Sequence, residues 1–425
     1  MFSDMLIGLR NLRRRRLRTT LTALMIILST TLVVFSKGLN EGTYSGMIEL
    51  ATASWSGHVQ IQADGYNDNP SLFKTVKDSG AVMKAISERA DVASVTPRVD
   101  SAGLLAAGNR TTAALLAGVD PTLEARTTTL SRAVKEGKWL PPPDPSARSE
   151  TEDEEGAFDE NAELPTLPIV LGKGLAQRLK VSIGDEISFM GQAADGSIAA
   201  ELFTVTGLLD SGLDELDANI AFIRISDAQT LFELGDRVHR IVVLLKDLDT
   251  LEESASSMRE TTTDVALTWK QMLPELASSI EADRAGGHIF LIVIILVVLL
   301  GVANSMMMSV FERTREFGVM MAIGTSPKRI VGMTVWESFW LTGVSVALGT
   351  LLGILTIHAL KDTGIPLGSE PIEFGGVMIT HIKPMNVFTA SVIYPVVIFV
   401  SGMLAGVLPA LRAARLEPVK AIREH

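Results

Sequence analysis

The chain has 425 residues, of which 47% are hydrophobic, and it carries a formal net charge of −11. It has no cysteine, which excludes disulfide frameworks, thiolate metal sites, cysteine nucleophiles and lipid attachment at cysteine. The hydrophobic content is high for a soluble protein, so the charge becomes informative only when it is divided by location along the chain.

Four nearly charge-free segments predict membrane-spanning helices, at residues 19–41, 285–311, 330–360 and 384–411. A helix that crosses a bilayer needs about 20 mostly apolar residues. The first segment is the shortest and follows an arginine-rich stretch, as the apolar core of a signal peptide would. Its core is longer than that of a signal peptide and no small-residue cleavage site follows closely, so we interpret it as an uncleaved span.

Lysine and arginine predict the orientation of these spans. Segments 1–18, 312–329 and 412–425 together contain 14 basic and 5 acidic residues, whereas residues 38–284 contain 21 basic and 40 acidic ones. Because loops rich in lysine and arginine stay in the cytoplasm, both termini and the 312–329 loop are expected there. Segment 42–284 and a short loop at 361–383 are expected outside. An arginine run that abuts a span is a topology signal rather than a nucleic-acid-binding motif.

Segment 42–284 is predicted to form an α+β domain with helical stalks at both ends. Period-2 alternation and turn residues predict strands, and 3.6-residue spacing predicts helices. The sequence predicts strands at 57–63, 92–99, 201–210, 219–226 and 237–247, a hairpin that turns at Gly108 and Asn109, a helix–turn–strand unit over 172–190, and helices at 80–90, 227–235 and 248–260. Ser226 or Asp227 is the expected N-cap of the helix at 227–235.

The second stalk, at 269–287, is predicted to place Met272, Leu273, Leu276 and Ile280 on one helical face. Gly286 and Gly287 follow it, and they indicate either a hinge or a close helix contact.

The segment 141–168 interrupts the outer domain with prolines, acidic residues and one aromatic residue. It cannot bury enough apolar surface to order itself. It is interpreted as a solvated loop, and a docking segment for a basic partner is the alternative.

No motif for catalysis or for binding ATP occurs in the sequence. There is no phosphate-binding G-x-x-x-x-G-K-[ST], no H-E-x-x-H and no G-x-S-x-G, and the six histidines are scattered. No bound metal or cofactor is therefore predicted.

The third span contains one acidic residue, Glu337, about two turns from its cytoplasmic end. A charge inside a membrane is costly and needs a partner. Either it reaches headgroups or a nearby arginine, or it contacts a partner subunit. Asn304 in the second span is interpreted as a helix–helix hydrogen-bonding residue.

Glycine pairs predict close helix packing within the last two spans. Gly349 and Gly353, and likewise Gly402 and Gly406, form small-xxx-small motifs, which let helix backbones approach. Pro395 predicts a kink in the fourth span.

The cytoplasmic loop 312–329 combines charge with an apolar patch. Residues 317–323 are predicted to form a short helix that ends near Gly324, and Ser326 and Pro327 are the expected N-cap and first residue of the next helix. Phe317, Met320 and Met321 share a face of the short helix. These side chains either enter the headgroups or fill a groove on a cytoplasmic partner.

Several segments resemble the FtsX-like permeases of ABC transporters, the MacB and LolC/LolE group. They are "ERTREFGVMMAIGTSPKRIVGMTVWESF", "GLRNLRRRRLRTTLT", "LGKGLAQRLKVSIGDEISF" and "LPALRAARLEPVKAIRE". The resemblance covers essentially the whole chain. It implies four transmembrane helices with a large α+β periplasmic domain between the first two. It also implies that the loop docks on an ATPase subunit, with contacts from Glu316, Phe317, Met320, Met321, Ile323, Gly324, Lys328 and Arg329.

Within this group the outer domain most resembles LolC/LolE, through "SGHVQIQ", "VASVTPRV" and "LLAGVDP". The resemblance implies a permease of the bacterial inner membrane that extracts lipoproteins and transmits force from a separate ATPase. ATP and magnesium are then bound by two ATPase copies, and a second permease, itself or a paralogue, completes the complex within membrane lipids. LolC-type proteins carry a long hairpin after the strand that corresponds to "GDEISF", and this hairpin hooks a periplasmic carrier. Only residues 190–201 fill that place here, which puts such a carrier in doubt. MacB-like export of peptides or drugs, or a non-transport mechanotransmission complex, is the alternative.

Overall fold

The computed structural model describes residues 16–143, 166–366, 372–374, 377–379 and 381–415. The chain divides into two compact units. The sheet unit comprises Met47–Ser279 with Pro371–Ile379, and the helix unit comprises the rest. Most of the predicted acidic loop, residues 144–165, lies outside the described residues.

Both units contain helices. In chain order they are α1 (Arg16–Ala51), α2 (Ser79–Ser87), α3 (Pro121–Thr127), α4 (Lys173–Leu179), α5 (Asp214–Asn219), α6 (Ile225–Leu231), α7 (Leu251–Thr261), α8 (Trp269–Met272), α9 (Pro274–Glu312), α10 (Thr314–Ala322), α11 (Pro327–Leu360) and α12 (Tyr394–Ala414). Short π-helical turns at Thr52–Ser56 and Thr389–Ile393 extend α1 and precede α12.

Four of these helices are long and apolar enough to cross a membrane: Arg16–Ser56, Pro274–Glu312, Pro327–Leu360 and Thr389–Ala414. The prediction of four spans is confirmed. Their shared core lies on the inner faces of the helix unit and includes Ile26, Val298, Val302, Leu341 and Ile398. Leucines, isoleucines and valines on the opposite faces are exposed, as expected for surfaces that contact lipid.

Ten strands of the sheet unit form one mixed sheet. They are β1 (Val59–Gln62), β2 (Val92–Ala107), β3 (Arg110–Val119), β4 (Val134–Gly137), β5 (Leu167–Gly172), β6 (Glu186–Gln192), β7 (Ile198–Leu209), β8 (Ile220–Arg224), β9 (Arg240–Leu245) and β10 (Val265–Thr268). Their order is β10-β1-β9-β2-β3-β8-β5-β7-β4, and β6 pairs with both β2 and β7. Two short hairpins follow α11: β11 (Ile365–Pro366) pairs with β14 (His381–Ile382), and β12 (Ile372–Phe374) with β13 (Val377–Ile379).

The β2–β3 hairpin forms where the sequence predicted it. The two strands pair antiparallel from Arg98 and Val119 to Ala107 and Arg110. Gly108 takes a φ of 57° at the turn, a left-handed conformation that glycine adopts without a steric penalty. The hairpin thus supplies a long two-stranded ribbon at the centre of the sheet.

Three local predictions are wrong. The helix at 225–231 has Arg224 as its N-cap residue, so Ser226 and Asp227 lie inside its first turn, where Asp227 accepts a hydrogen bond of 2.6 Å from Arg224 Nε. The second stalk breaks at Leu273, because Pro274 disfavours a helical conformation at the preceding residue.

The fourth span provides the third correction. Its helical turns begin at Thr389 rather than at residue 384. Pro395 lies where the π-helical segment Thr389–Ile393 passes into α12, and the kink expected there stays a prediction.

Two interpretations of the second span also change. Asn304 is exposed and has no hydrogen bond to another helix within the described part of the chain. Gly286 and Gly287 lie inside the continuous helix α9, and a Cβ placed on either one meets nothing within 4 Å. Close packing within the described residues therefore does not explain this glycine pair.

Candidate coupling site

The short helix α10 lies between the ends of α9 and α11. It ends in a Schellman motif, in which the Gly324 N–H donates to the Met321 carbonyl (3.1 Å) and the Thr325 N–H donates to the Met320 carbonyl (2.9 Å). Gly324 has a φ of 98°, which favours glycine. The motif fixes the direction in which the chain leaves the helix.

The next helix starts two residues later. Ser326 occupies the N-cap position of α11, and Pro327 occupies its first turn. The Ser326 side chain makes no capping hydrogen bond, so the fixed φ of Pro327 is the main local signal for the helix start. Only Ile323–Ser326 connects the two helices, which leaves little slack between them.

Phe317, Met320 and Met321 share one face of α10, and that face packs on the chain itself. Phe317 is 1% exposed and contacts a small cluster with Val310, Ile330 and Ala413. The two methionines pack against the same cluster and are half-buried. The expectation that this face enters headgroups or a partner groove is therefore wrong for Phe317, because the ends of α9, α11 and α12 already cover it.

The opposite face of α10 is the accessible one. Ile323 is 78% exposed and Val319 is 44% exposed. Glu316, Gly324, Lys328 and Arg329 are also exposed. Val319 was missed in the sequence, although it is four residues before Ile323 and therefore lies on the same helical face. We call Val319, Ile323 and these exposed neighbours, which extend into the start of α11, the accessible face of α10.

Glu337 joins the site from α11. It is buried, and it accepts hydrogen bonds of 3.2 Å from Arg313 Nη1 and 3.2 Å from Ser309 Oγ. Of its predicted partners, the nearby arginine is the one that the structure brings to it. Because both bonds come from the end of α9, they tie the start of α10 to the body of α11.

A second ion pair lies near this one. Arg18 Nη1 of α1 donates to Glu312 Oε2 of α9 at 2.8 Å. Both side chains are half-buried, so the pair is shielded more than an ordinary surface pair. Together, the two ion pairs connect three of the four long helices at the same end.

The four packing glycines lie at close helix approaches. A Cβ at Gly402 or Gly406 would lie 2.3 Å from Thr342 Cγ2 or 2.5 Å from Ser338 Oγ, which closes α11 against α12. Gly349 and Gly353 contact α1 in the same way, since a Cβ at either residue would lie 2.7 Å from the nearest atom of that helix. Contacts this close require glycine.

The His, Asp and Glu side chains of the described residues do not form a candidate metal site. No cluster of three or more His, Asp or Glu side chains suits a metal ion among the residues for which placement is described. That the chain binds no cofactor stays a prediction.

Comparison with known proteins gives two family matches. The model of the FtsX-like permease C-terminal region matches residues 288–418, and the model of the MacB-like periplasmic core domain matches residues 19–261, more than half of the chain. The chain belongs to the FtsX-like, MacB-type permease family. The resemblance stated from sequence motifs is thereby confirmed.

The curated relatives of this permease include LolC and MacB proteins. The chain is 24% identical to the lipoprotein-releasing system transmembrane protein LolC of Xylella fastidiosa, over 98% of each chain. It is 25% identical to the macrolide export ATP-binding/permease protein MacB of Rhodospirillum rubrum, over 97% of this chain and 59% of that protein. The solved periplasmic region of MacB from Actinobacillus actinomycetemcomitans aligns with 49% of this chain and 87% of that one, at 17% identity and a TM-score of 0.32.

These matches establish a coarse function. This permease is a multi-pass membrane protein and an ABC transporter permease of the LolC and MacB type. Its family implies a cytoplasmic ATPase partner. The structure shows which residues of the predicted ATPase-docking loop are exposed; which of them contact the ATPase stays a prediction.

Proposed function

We propose that this permease extracts lipoproteins from the bacterial inner membrane, driven by a separate ATPase subunit. The observation that carries the proposal is the alignment with LolC, which runs over 98% of both chains and includes the outer segment as well as the spans. Both termini and α10 then lie in the cytoplasm, and the sheet unit lies in the periplasm. The charge asymmetry of the sequence supports this orientation.

Force enters through α10. Closure of two ATPase subunits pushes the accessible face of α10. There Val319 and Ile323 offer exposed apolar contacts, and Lys328 and Arg329 offer positive charge. The Schellman motif and the short connection to α11 transmit the push with little loss. The Arg313–Glu337 pair makes α9 and α11 move together.

The push reaches the cargo through α9. This helix runs without interruption over 39 residues from Pro274 to Glu312, and its first turn belongs to the sheet unit. Movement of α9 along its axis therefore moves the point at which the sheet unit is attached. In this proposal a second permease, itself or a paralogue, faces the first, and the lipoprotein leaves the bilayer laterally between them.

Export of peptides or drugs is the second candidate, and the alignment with MacB over 97% of this chain favours it. The structure adds one observation against a LolC-type carrier hook. The β6–β7 hairpin closes with only Ala193–Ser197 between its strands, joined by a bond of 3.0 Å from the Ala193 N–H to the Ser197 carbonyl. A periplasmic carrier is therefore not part of the proposal.

Proteoliposomes that contain the permease, its ATPase and a triacylated reporter lipoprotein test the function. We expect ATP-dependent transfer of the reporter to the soluble fraction, and no transfer with a catalytically dead ATPase. Retention of the reporter together with ATP-dependent transport of a peptide or macrolide would favour the second candidate instead.

A further inference from the structure

The sheet unit contains an apolar cavity of about 510 Å³. Its walls include the last turns of α1 with the π-helical segment that follows, the helix α5, and the junction of α8 with α9. The side chains that define it are Trp55, Leu115, Leu216, Ile220, Met272 and Leu276. A cavity of this size, mostly apolar with a few polar groups, has the character of a small-molecule site.

Trp55 forms a pre-organised wall of this cavity. The guanidinium carbon of Arg98 lies 4.0 Å from the centre of its ring, and that of Arg240 lies 4.8 Å away. Arg98 is fully buried and donates to both carboxylate oxygens of Glu124, at 3.1 Å and 2.6 Å, and to the Trp55 carbonyl at 2.6 Å. The ring is therefore fixed before any ligand arrives, so binding costs little ordering at this wall.

The rim of the cavity is acidic. Glu215 and Glu275 line it, both are exposed, and neither forms an ion pair within the described part of the chain. No lysine, arginine or histidine belongs to the described lining. Among the described residues, three arginines contact lining residues from outside the cavity. Arg98 and Arg240 lie against the Trp55 ring, and they are paired with the carboxylates of Glu124 and Asp100. Arg178 donates to Asn219 Oδ1 at 3.1 Å. An apolar interior with a negative entrance disfavours fatty acids and other anionic amphiphiles.

We propose that this cavity binds the hydrocarbon chain of a cationic amphiphile, with an ammonium group held at the rim by Glu215 and Glu275. The ligand would contact the outer ends of the two elements, α1 and α9, that continue into the first two spans. The inference goes beyond the proposed function, because it requires neither an ATPase nor a lipoprotein.

Photolabelling of the full chain in lipid nanodiscs tests the site. The labelled residues distinguish probe that is bound in the cavity from probe that is dissolved in the lipid. The cationic probe is dodecyltrimethylammonium with a diazirine at the end of its chain, and the anionic probe is the matching dodecyl sulfate. Mass spectrometry is expected to find the cationic probe on residues 213–220 and 272–276. The anionic probe should label these residues about tenfold less, as two favourable charge contacts of about 0.7 kcal/mol each would give.

Two variants separate the apolar and the charged parts of the site. Leu216→Trp fills the cavity and should reduce labelling there at least tenfold. Glu215→Gln with Glu275→Gln should bring the two probes to within about twofold of each other, whereas Glu186→Gln with Glu260→Gln, at exposed positions elsewhere on the sheet unit, should preserve the preference. Equal labelling by both probes in the native chain, or undiminished labelling of L216W, would overturn the proposal. Failure of lipoprotein release would not affect this result.

Discussion

Arg313 contacts three residues of the candidate coupling site: Glu316, Phe317 and Glu337. Its Nη1 donates to Glu337 Oε2 at 3.2 Å, its Nε donates to Glu316 Oε2 at 3.2 Å, and its guanidinium carbon lies 4.9 Å from the centre of the Phe317 ring. One side chain thus joins the end of α9 to α10 and to α11. The planar guanidinium is suited to this role, because it can donate in several directions while it stacks on a ring.

Removal of Arg313 alone should be more harmful than removal of the whole ion pair. Among the described residues, Arg313→Met leaves Ser309 as the one remaining donor to the buried Glu337, so we expect a loss of about 3–5 kcal/mol. Arg313→Met combined with Glu337→Leu should recover most of this loss. Thermal unfolding in detergent gives the comparison, with Arg315→Met as the exposed control. A double variant as unstable as R313M would argue against the pair.

Two buried histidines predict a pH-dependent sheet unit. Burial lowers the pKa of His58 to about 4. Its Nδ1 accepts a hydrogen bond from the Leu245 N–H, which is possible only while Nδ1 carries no proton. Burial also lowers the pKa of His239, whose Nδ1 accepts from the Asp100 N–H at 2.9 Å. Both rings are therefore neutral in the folded unit at neutral pH.

Because the folded pKa values lie below the unfolded ones, the stabilisation is present above the unfolded pKa of about 6.5 and is lost as pH falls toward the folded values. Acidification from about pH 7 to about pH 5 should lower the free energy of unfolding of the sheet unit by roughly 2 kcal/mol through His58 alone. Tryptophan fluorescence melts of the full chain measure this change. His58→Asn with His239→Asn should flatten the dependence, and an equally steep dependence in that variant would contradict the prediction.

The sequence could predict that a residue needs a partner, but not which residue the partner is. The need of Glu337 for a partner followed from its position in an apolar span, with headgroups, a nearby arginine or a partner subunit as the candidates. The arginine that it contacts, Arg313, is 24 residues away along the chain. The burial of Phe317 could not be predicted, because it depends on Ala413, which is almost 100 residues away along the chain. The Arg98–Glu124 pair and its contact with Trp55 were missed for the same reason.

At the scale of elements, α10 presents one buried face and one accessible face. Ile323→Glu or Val319→Glu places a charge on the accessible face without disturbing the cluster around Phe317. We expect at least a tenfold loss of ATPase co-purification, because an apolar contact would be replaced by a desolvated carboxylate.

The matched control for these variants is Ile198→Glu. Ile198 is 76% exposed, close to the 78% of Ile323, but it belongs to the sheet unit. Its replacement should leave the ATPase bound. Normal co-purification of both I323E and V319E would show that the ATPase does not bind this face. Substitution of Met320 or Met321 by Asp is less informative, since both side chains pack on the chain itself.

The contact between α11 and α12 should depend on its glycines. Gly402→Ala would place a methyl group 2.3 Å from Thr342 Cγ2, so we expect a loss of about 1–3 kcal/mol. Gly332→Ala, in α11, meets nothing within 4 Å and should be neutral or slightly stabilising. Thermal unfolding of the two variants decides the matter, and an equal effect would contradict a specific role for Gly402.

Element boundaries were predictable where a residue dictates its own backbone. Gly324 and Pro327 located the end of α10 and the start of α11, because each restricts or permits particular φ values. Pro274 likewise sets a boundary, between α8 and α9, in a stalk that the spacing of apolar residues predicted as one helix. The N-cap prediction at Ser226 failed because the Arg224–Asp227 contact starts the helix earlier.

At the scale of the whole molecule, the proposed orientation can be tested directly, because the chain has no native cysteine. Asp236→Cys introduces an exposed thiol on the sheet unit, and Ser326→Cys introduces one beside α10. A membrane-impermeant maleimide applied to spheroplasts should label D236C, and it should label S326C only after lysis. The reverse pattern would invert the orientation and remove the basis for coupling to a cytoplasmic ATPase.

The sequence predicted the number of long helices and most strands, but it did not predict their arrangement in the sheet. The parallel pairs β3–β8 and β5–β7 join strands that are distant along the chain. Local periodicity identifies which face of a strand is apolar, but it carries no information about which distant strand lies beside it.

Gly286 and Gly287 reduce the stiffness of the helix α9. Gly286 and Gly287 have no neighbouring atom within 4 Å that a methyl group would displace, and glycine weakens a helix interior by about 1 kcal/mol relative to alanine. They therefore give a 39-residue rod one compliant point, close to where it leaves the sheet unit. In the proposed mechanism, bending at these two residues would reduce the part of each movement of α9 that is directed along its axis.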